Sequence, residues 1–330
     1  MTDLPRLACT LAPSIRLPEH ARVAEELGYE RVWVYDSPAL YTDIWVTLAR
    51  AVEATELIGV ATGVAVPFLR HPMVTASAIA TIAELGPGRV AVAFGTGFTG
   101  ARTLGLKPMR WADLAEYVSQ VRGLLAGDVV EVDGHRVRMI HSPGFAPPRP
   151  IDVPMLVAPM GPKGYEVAQR VADGIIVAAP PGNDEWPWCA LLCSGTVLDP
   201  GEDHTTPRVI ESAGIGFATG LHGIWEMAPE MLPTVPGGAE WLAALEAEFD
   251  QADRHWAAHQ GHLVAIADRD RPVVAKAGAA ILTSGWTGDA ASVRQRAVEA
   301  AEGGVTELAY APAGPDIARE LEAFAAAVRS

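Results

Sequence analysis

Apolar residues recur along this chain in two alternating rhythms. Short continuous apolar runs, the mark of strands buried on both faces of a parallel sheet, alternate with longer stretches in which apolar residues return every three to four positions, as on a helix with one buried face. The runs RLACTLA (6–12) and YERVWVYD (29–36) flank LPEHARVAEELG, whose apolar spacing stops at Gly28, so the three form a βαβ unit. The alternation continues with a helix over 45–55, a strand over 57–66, a helix over 72–85, a strand over 88–95 and a helix over about 111–126. Further strands at 153–160, 173–179, 190–198 and 306–312 bring the number to eight. Eight buried strands interleaved with helices in 330 residues predict a (β/α)8 barrel, the TIM-barrel class, rather than an open doubly wound sheet.

Two stretches interrupt the rhythm and read as insertions in one barrel domain spanning 1–330. The first, 128–152 after the fourth helix, has a hairpin turn at Asp133 and Gly134 followed by a proline-rich run. The second, 199–285 after the seventh strand, has helical patterns carrying Trp225, Trp241 and Trp256, with Trp286 just beyond. Its position puts it on the C-terminal face of the barrel, where such folds carry their chemistry. The tryptophans suit either an apolar wall for a substrate or a helical core.

Composition narrows the partners. With 49% hydrophobic residues the chain can bury a large core, while a net charge of −15 and only three lysines, Lys107, Lys163 and Lys276, argue against nucleic acid and acidic membranes. Three cysteines, Cys9, Cys189 and Cys193, suggest neither a disulfide framework nor a redox pair, and a reduced, cytoplasmic setting is expected. The N-terminal MTDLPRLACTLAPS lacks a basic segment followed by a long apolar core, and no run approaches the ~20 apolar residues of a membrane span. A small-molecule substrate is the expected partner.

Several positions could carry chemistry. Gly63 interrupts a buried strand, as a bulge or merely to relieve crowding. Gly95, Thr96 and Gly97 end strand four, where backbone can approach a ligand closely or form an ordinary glycine-rich loop; the G-x-G-x-x-G fingerprint is not completed. Gly161, Pro162, Lys163 and Gly164 open a helix, whose free N–H groups and dipole accept an anion; a plain helix start with a solvated lysine is the alternative. Asp36, ending a barrel strand, suits substrate orientation or the capping of a loop or helix. His255, His259 and His262 fall on one helical face, the first two at a spacing metal ligands use, yet they read as surface histidines on a long insertion, and no metal is expected.

Taken in order, AEELGYERVWVYDS, TGVAVPFLRHPMVTASAIATIAELGPGRVAVAFGTG, VRGLLAGDVVEVDGHRVRM, VPMLVAPMGPKGYEVAQRVADGIIV and GGVTELAYAP resemble the bacterial-luciferase-like family of flavin- and deazaflavin-dependent oxidoreductases. The likeness covers most of 6–180 and resumes near 279–312, and within the family it is similar to the coenzyme F-420-dependent methylenetetrahydromethanopterin-reductase branch. It implies a strand bulge, often with a non-prolyl cis peptide, at Gly63 and Val64, pressed against one face of the cofactor ring, with Ala65 a further cofactor contact. It further implies that Gly95, Thr96 and Gly97 line the ring or its ribityl chain, and that the cofactor phosphate sits at Met160, Gly161, Pro162 and Lys163.

Two departures stand out. Many deazaflavin-dependent relatives have Asp-His where this chain has Asp36 and Ser37, so no histidine role carries over, and these two become the candidate catalytic residues, Asp36 also as a cofactor contact. The strand-one glutamate of the methylene-reductase branch is absent, with Thr10 or Leu11 in its neighbourhood, Thr10 being a candidate cofactor contact. The resemblance implies hydride transfer between F-420 (8-hydroxy-5-deazaflavin) and a small organic substrate, in a homodimer. The alternatives are an FMN-dependent monooxygenase using reduced flavin and oxygen, a flavin-independent NAD(P)H-dependent methylenetetrahydrofolate-type reductase, and a non-catalytic cofactor-binding protein.

Overall fold

A computed structural model of the chain describes residues 4–330. The N-terminal stretch read for an export signal includes residues 1–3, which lie outside the described ones. Eight parallel strands close into a barrel: β1 (Arg6–Leu11), β2 (Arg31–Val34), β3 (Gly59–Ala65), β4 (Val90–Phe94), then, after the hairpin β5 (Val130–Val132) and β6 (His135–Val137), β7 (Met155–Val157), β8 (Gly174–Val177), β9 (Cys189–Ser194) and β10 (Glu307–Ala311). Each strand pairs with its successor around the ring, and β10 returns to β1 with Ala8 opposite Ala309.

Small side chains leave the inside of the barrel to a few large ones. Ala8, Ala61, Ala91, Ala93, Ala190 and Ala309 face inward and make room for Trp33, Leu156 and Ile176. Towards the N-terminal end of the strands Trp33 Nε1 donates to Glu307 Oε1 at 2.7 Å, and Arg31 and Arg6 each lie 3.7 Å from the same carboxylate, which is fully buried. A buried charge needs such partners, and this group closes the barrel opposite its C-terminal face.

The outer layer begins with α1 (Leu17–Glu26), α2 (Ile44–Ala54) and α3 (Pro72–Leu85). Asp43 caps α2 by accepting from Trp45 and Val46 N–H, and His71 Nδ1 accepts from Met73 N–H at the start of α3, whose first residue is Pro72, a position where no N–H is needed. A short helix, α4 (Phe98–Arg102), precedes α5 (Trp111–Ala126), and α6 (Gly161–Val171) follows β7. Beyond β9 come α7 (Pro207–Met227), α8 (Gly238–Glu248), α9 (Arg254–Ala257) and α10 (Arg271–Ala277), with two 3-10 segments among them. The helices α11 (Ala290–Glu302) and α12 (Ile317–Arg329) flank β10. The segment 207–283 has apolar cores of its own, one around Val209, Ile215 and Val274, the other around Leu221, Trp241 and Leu245. Among the described residues no helix is long and apolar enough to cross a membrane.

Candidate functional site

The site grows from an irregularity in β3. Thr62 pairs with Val92, but the next pair is Ala65 with Phe94, so β3 spends one residue more than β4 and bulges at Gly63 and Val64. The Gly63–Val64 peptide is cis. Opposite the bulge the Ala93 backbone would lose its ladder partners; Thr62 Oγ1 instead donates to Ala93 O at 2.8 Å and accepts from Ala93 N at 3.0 Å. One buried hydroxyl thus satisfies both groups.

Glycines let neighbouring backbone close in on this bulge. A Cβ on Gly95 would lie 2.6 Å from Val64 Cγ2, and one on Gly97 would lie 2.4 Å from Val66 Cγ1. Gly97 also has φ +78°, a conformation that glycine adopts without a Cβ penalty. Gly63, Val64, Val66 and Gly97, with Tyr35, Asp36, Ser37, Tyr41 and Phe98, line a cavity of about 190 Å³ at the C-terminal end of β2, β3 and β4. A second cavity of about 220 Å³ lies at the ends of β1 and β10, with Thr10, Ser14, His20 and Pro312 in its wall. Tyr35 and Leu263 belong to both, so Leu263, brought in by the long insertion, stands between them.

Asp36 is held firmly. Its Oδ2 accepts from Val66 N at 2.9 Å and from Arg70 Nη1 at 2.7 Å, and the other arm of Arg70 reaches Asp43 Oδ2 at 3.1 Å. Burial raises the Asp36 carboxyl above its ordinary range, against the pull of Arg70 and the Val66 N–H. Arg70, whose role the sequence does not reveal, thereby ties the ends of β2 and β3 to the start of α2. Ser37 stands beside Asp36 in the cavity wall.

The remaining expected residues are spread along the barrel mouth. Thr10 is buried and donates to Ala309 O at 3.3 Å, while Ala65 and Thr96 are buried in the strand ends around the bulge. Met160, Gly161, Pro162 and Lys163 are exposed at the start of α6, where no side chain caps the helix, so its first N–H groups are open to a ligand. Gly95 links the two regions, since Ala158 Cβ at the end of β7 lies 3.7 Å from where its Cβ would be.

One reading of the insertion changes and another, left open by the sequence, narrows. His255, His259 and His262 are not a surface stripe, because α9 ends at Ala257 and the chain turns. His255 lies beside Gly105, His259 is only 1% exposed, and His262 reaches the first cavity. The tryptophans do not line either cavity: Trp241 is core, Trp286 packs on Phe324, Trp225 lies against His259, and Trp256 is partly exposed against Phe249.

A family model described as luciferase-like monooxygenase matches residues 10–186. The chain belongs to this family. This luciferase-like barrel is 30% identical over 178 residues to a 5,10-methylenetetrahydromethanopterin reductase of Methanolobus tindarius, the match covering 51% of each chain. It is 33% identical over 209 residues to an F-420-dependent hydroxymycolic acid dehydrogenase of Mycobacterium tuberculosis, covering 58% of this chain and 56% of the other. The chain spans about half the length of these curated relatives in the matches. A solved F-420-dependent secondary alcohol dehydrogenase, in complex with an F-420–acetone adduct, superposes with a TM-score of 0.67 over 99% of this chain and 100% of that one, at 18% identity, a likeness of fold. The family match takes in the bulge, the glycines and the start of α6; the insertion lies beyond it.

Proposed function

We propose that this luciferase-like barrel is an oxidoreductase that transfers a hydride between coenzyme F-420 and a small organic substrate. The observation that carries the reading is the bulge at Gly63 and Val64, with Gly95 and Gly97 packed so closely around it that a Cβ on either would collide. Such a floor admits a flat ring against backbone, and the first helical turn of α6, free of side-chain caps and holding Lys163, suits a phosphate. The residues present therefore fit the cofactor. The name of the mycobacterial relative, an F-420-dependent dehydrogenase, supports F-420 rather than a flavin.

When bound, a deazaflavin supplies a ring carbon that gives or takes a hydride, a two-electron step that needs no oxygen. The chain does the positioning. Val64 and the bulge backbone support one ring face, while Tyr35, Tyr41, Phe98 and Leu263 exclude water from the other side of the cavity. Asp36 cannot swing away, because Arg70 and the Val66 N–H hold Oδ2, so with Ser37 it fixes a polar atom of the substrate at the cavity wall. The homodimer expected from the resemblance would pack early barrel helices, where Val46 of α2 and Val74 of α3 are exposed; light scattering tests it.

The deciding experiment is an anaerobic titration with F-420 and, separately, FMN, followed by tryptophan fluorescence and repeated with Lys163→Ala. Tighter binding of F-420, weakened by Lys163→Ala, followed by turnover with reduced F-420 in the absence of oxygen, is expected. Preference for FMN would turn the reading to oxygen chemistry, in keeping with the family's description. Binding of neither would overturn the cofactor assignment, and tight binding without turnover on any acceptor would leave a cofactor-binding protein.

A further inference from the structure

Three histidines from separate parts of the insertion meet beside the first cavity. His222 comes from the middle of α7, His259 and His262 from the loop after α9, and one nitrogen of each lies within 4.8 Å of the others. His222 Nδ1 and His262 Nδ1 are 3.3 Å apart. His222 and His259 are each 1% exposed.

Carboxylates behind the rings decide which nitrogens face inward. His222 Nε2 lies 3.3 Å from Asp270 Oδ1, an oxygen that Trp241 Nε1 holds from the other side at 2.7 Å. His259 Nε2 lies 3.1 Å from Glu226 Oε1, and Glu226 Oε2 is in turn 3.2 Å from Arg102 Nε. A carboxylate accepts only, so each Nε2 carries the proton and each Nδ1 the lone pair. Those lone pairs converge with the ring of His262. His259 Nδ1 is moreover buried without any hydrogen-bond partner, an arrangement that is costly unless something accepts the lone pair.

A histidine whose far nitrogen is held by a carboxylate and whose near nitrogen points at two others is the arrangement metal-binding imidazoles adopt. Two such nitrogens, with a ring nitrogen of His262 as the third, suit a borderline divalent cation of the zinc class, with a fourth position left for water or another ligand. Two buried carboxylates, Asp270 and Glu226, supply outer negative charge against the ion. We propose that His222, His259 and His262 bind one divalent transition-metal cation, which fastens the 259–263 loop to α7 and so fixes Leu263 at the barrel mouth. The second anchor of this loop is already present, since Tyr41 OH, on the barrel, donates to His262 O.

The site is tested on the tag-free full-length chain, stripped with a chelator and titrated with Zn2+ against a chromogenic chelator, and in parallel with Co2+, whose visible ligand-field bands report coordination by nitrogen. About one Zn2+ per chain is expected, with tetrahedral-type Co2+ bands. Uptake disappears in His222→Ala, His259→Ala and His262→Ala and stays in His255→Ala. Because a buried truncation can unfold the insertion, Asp270→Asn provides a milder variant: its Zn2+ affinity falls ~10–100-fold while circular dichroism stays unchanged. Zn2+ also raises the unfolding temperature of the wild-type chain and not of His259→Ala. If the wild-type chain takes up no more Zn2+ or Co2+ than folded His259→Ala, the proposal fails, and the three rings are a buried hydrogen-bonded group around water. The metal readouts need no F-420, so failure of cofactor binding leaves them interpretable.

Discussion

Thr62 shows how much a single side chain can carry at a bulge. Its hydroxyl replaces two ladder hydrogen bonds of Ala93, so Thr62→Val, nearly the same shape, leaves a buried N–H and a buried C=O without partners. Each such group costs about 1–3 kcal/mol, and urea unfolding should show a loss in that range or above. Gly95 makes a complementary case. In Gly95→Ala the new methyl meets Val64 Cγ2 at 2.6 Å, so Val64 must turn into the cavity, and F-420 affinity is expected to drop more than stability. Gly134→Ala is the control: φ is +77° with open space around the Cβ, so it loses roughly 1 kcal/mol of stability and leaves binding untouched. Of these residues, Gly63 and Gly95 were conspicuous in the sequence because glycine inside or after a buried strand has few other uses. Arg70 and Thr62 were not, because each acts through a neighbour on another strand or helix that only folding supplies.

Elements depend on side chains that bridge them. Arg208, at the start of α7, reaches Glu320 of α12 at 2.6 Å and Thr196 Oγ1 at 2.8 Å, and also pairs with Glu202. Glu320 is 1% exposed, so Arg208→Met removes a partner from a buried carboxylate; a loss of about 3 kcal/mol and faster proteolysis between residues 199 and 285 are expected, read by urea unfolding and limited digestion. Glu25 at the end of α1 accepts from Glu56, Leu57 and Ile58 N–H ahead of β3. Burial acts upward on its carboxyl, but these donors and Arg89 outweigh it and hold the group below its ordinary 4.5. Its folded value being the lower one, Glu25 adds stability above about pH 4.5 that is lost as pH falls through the folded value. Glu25→Gln should therefore flatten the acid side of a stability-against-pH curve. Elements with strong periodicity, such as α3 from Pro72 and α5 from Trp111, lie where the hydrophobic pattern puts them. The short α4 does not announce itself, five residues inside a glycine-rich stretch offering no period to read. Neither α11 nor α12 is among the expected elements, although Leu321, Phe324 and Val328 mark out a buried helical face. The histidine cluster escapes for another reason: its third member, His222, comes from the middle of a helix 37 residues before His259, and helical spacing along 255–262 points to the wrong partner.

At the scale of the whole molecule, the eight-strand alternation sufficed to anticipate a closed barrel, because parallel strands buried on both faces have few other ways to hide their edges. Register and the route of the insertion depend on tertiary contacts and lay beyond it. A chain stopped after Val305 keeps seven barrel strands but leaves β1 and β9 without the neighbour between them, and sedimentation should find it aggregated. The same closure has a meaning in time. Thr10 of β1 donates to Ala309 of β10, 299 residues further on. On a ribosome the first strand must wait, one edge open, until β10 has been made, while β1 to β4 find each other early through short connections. Nascent chains of this protein therefore carry an unfinished ring throughout the synthesis of the stretch between β1 and β10, the interval in which a chaperone has the most to protect.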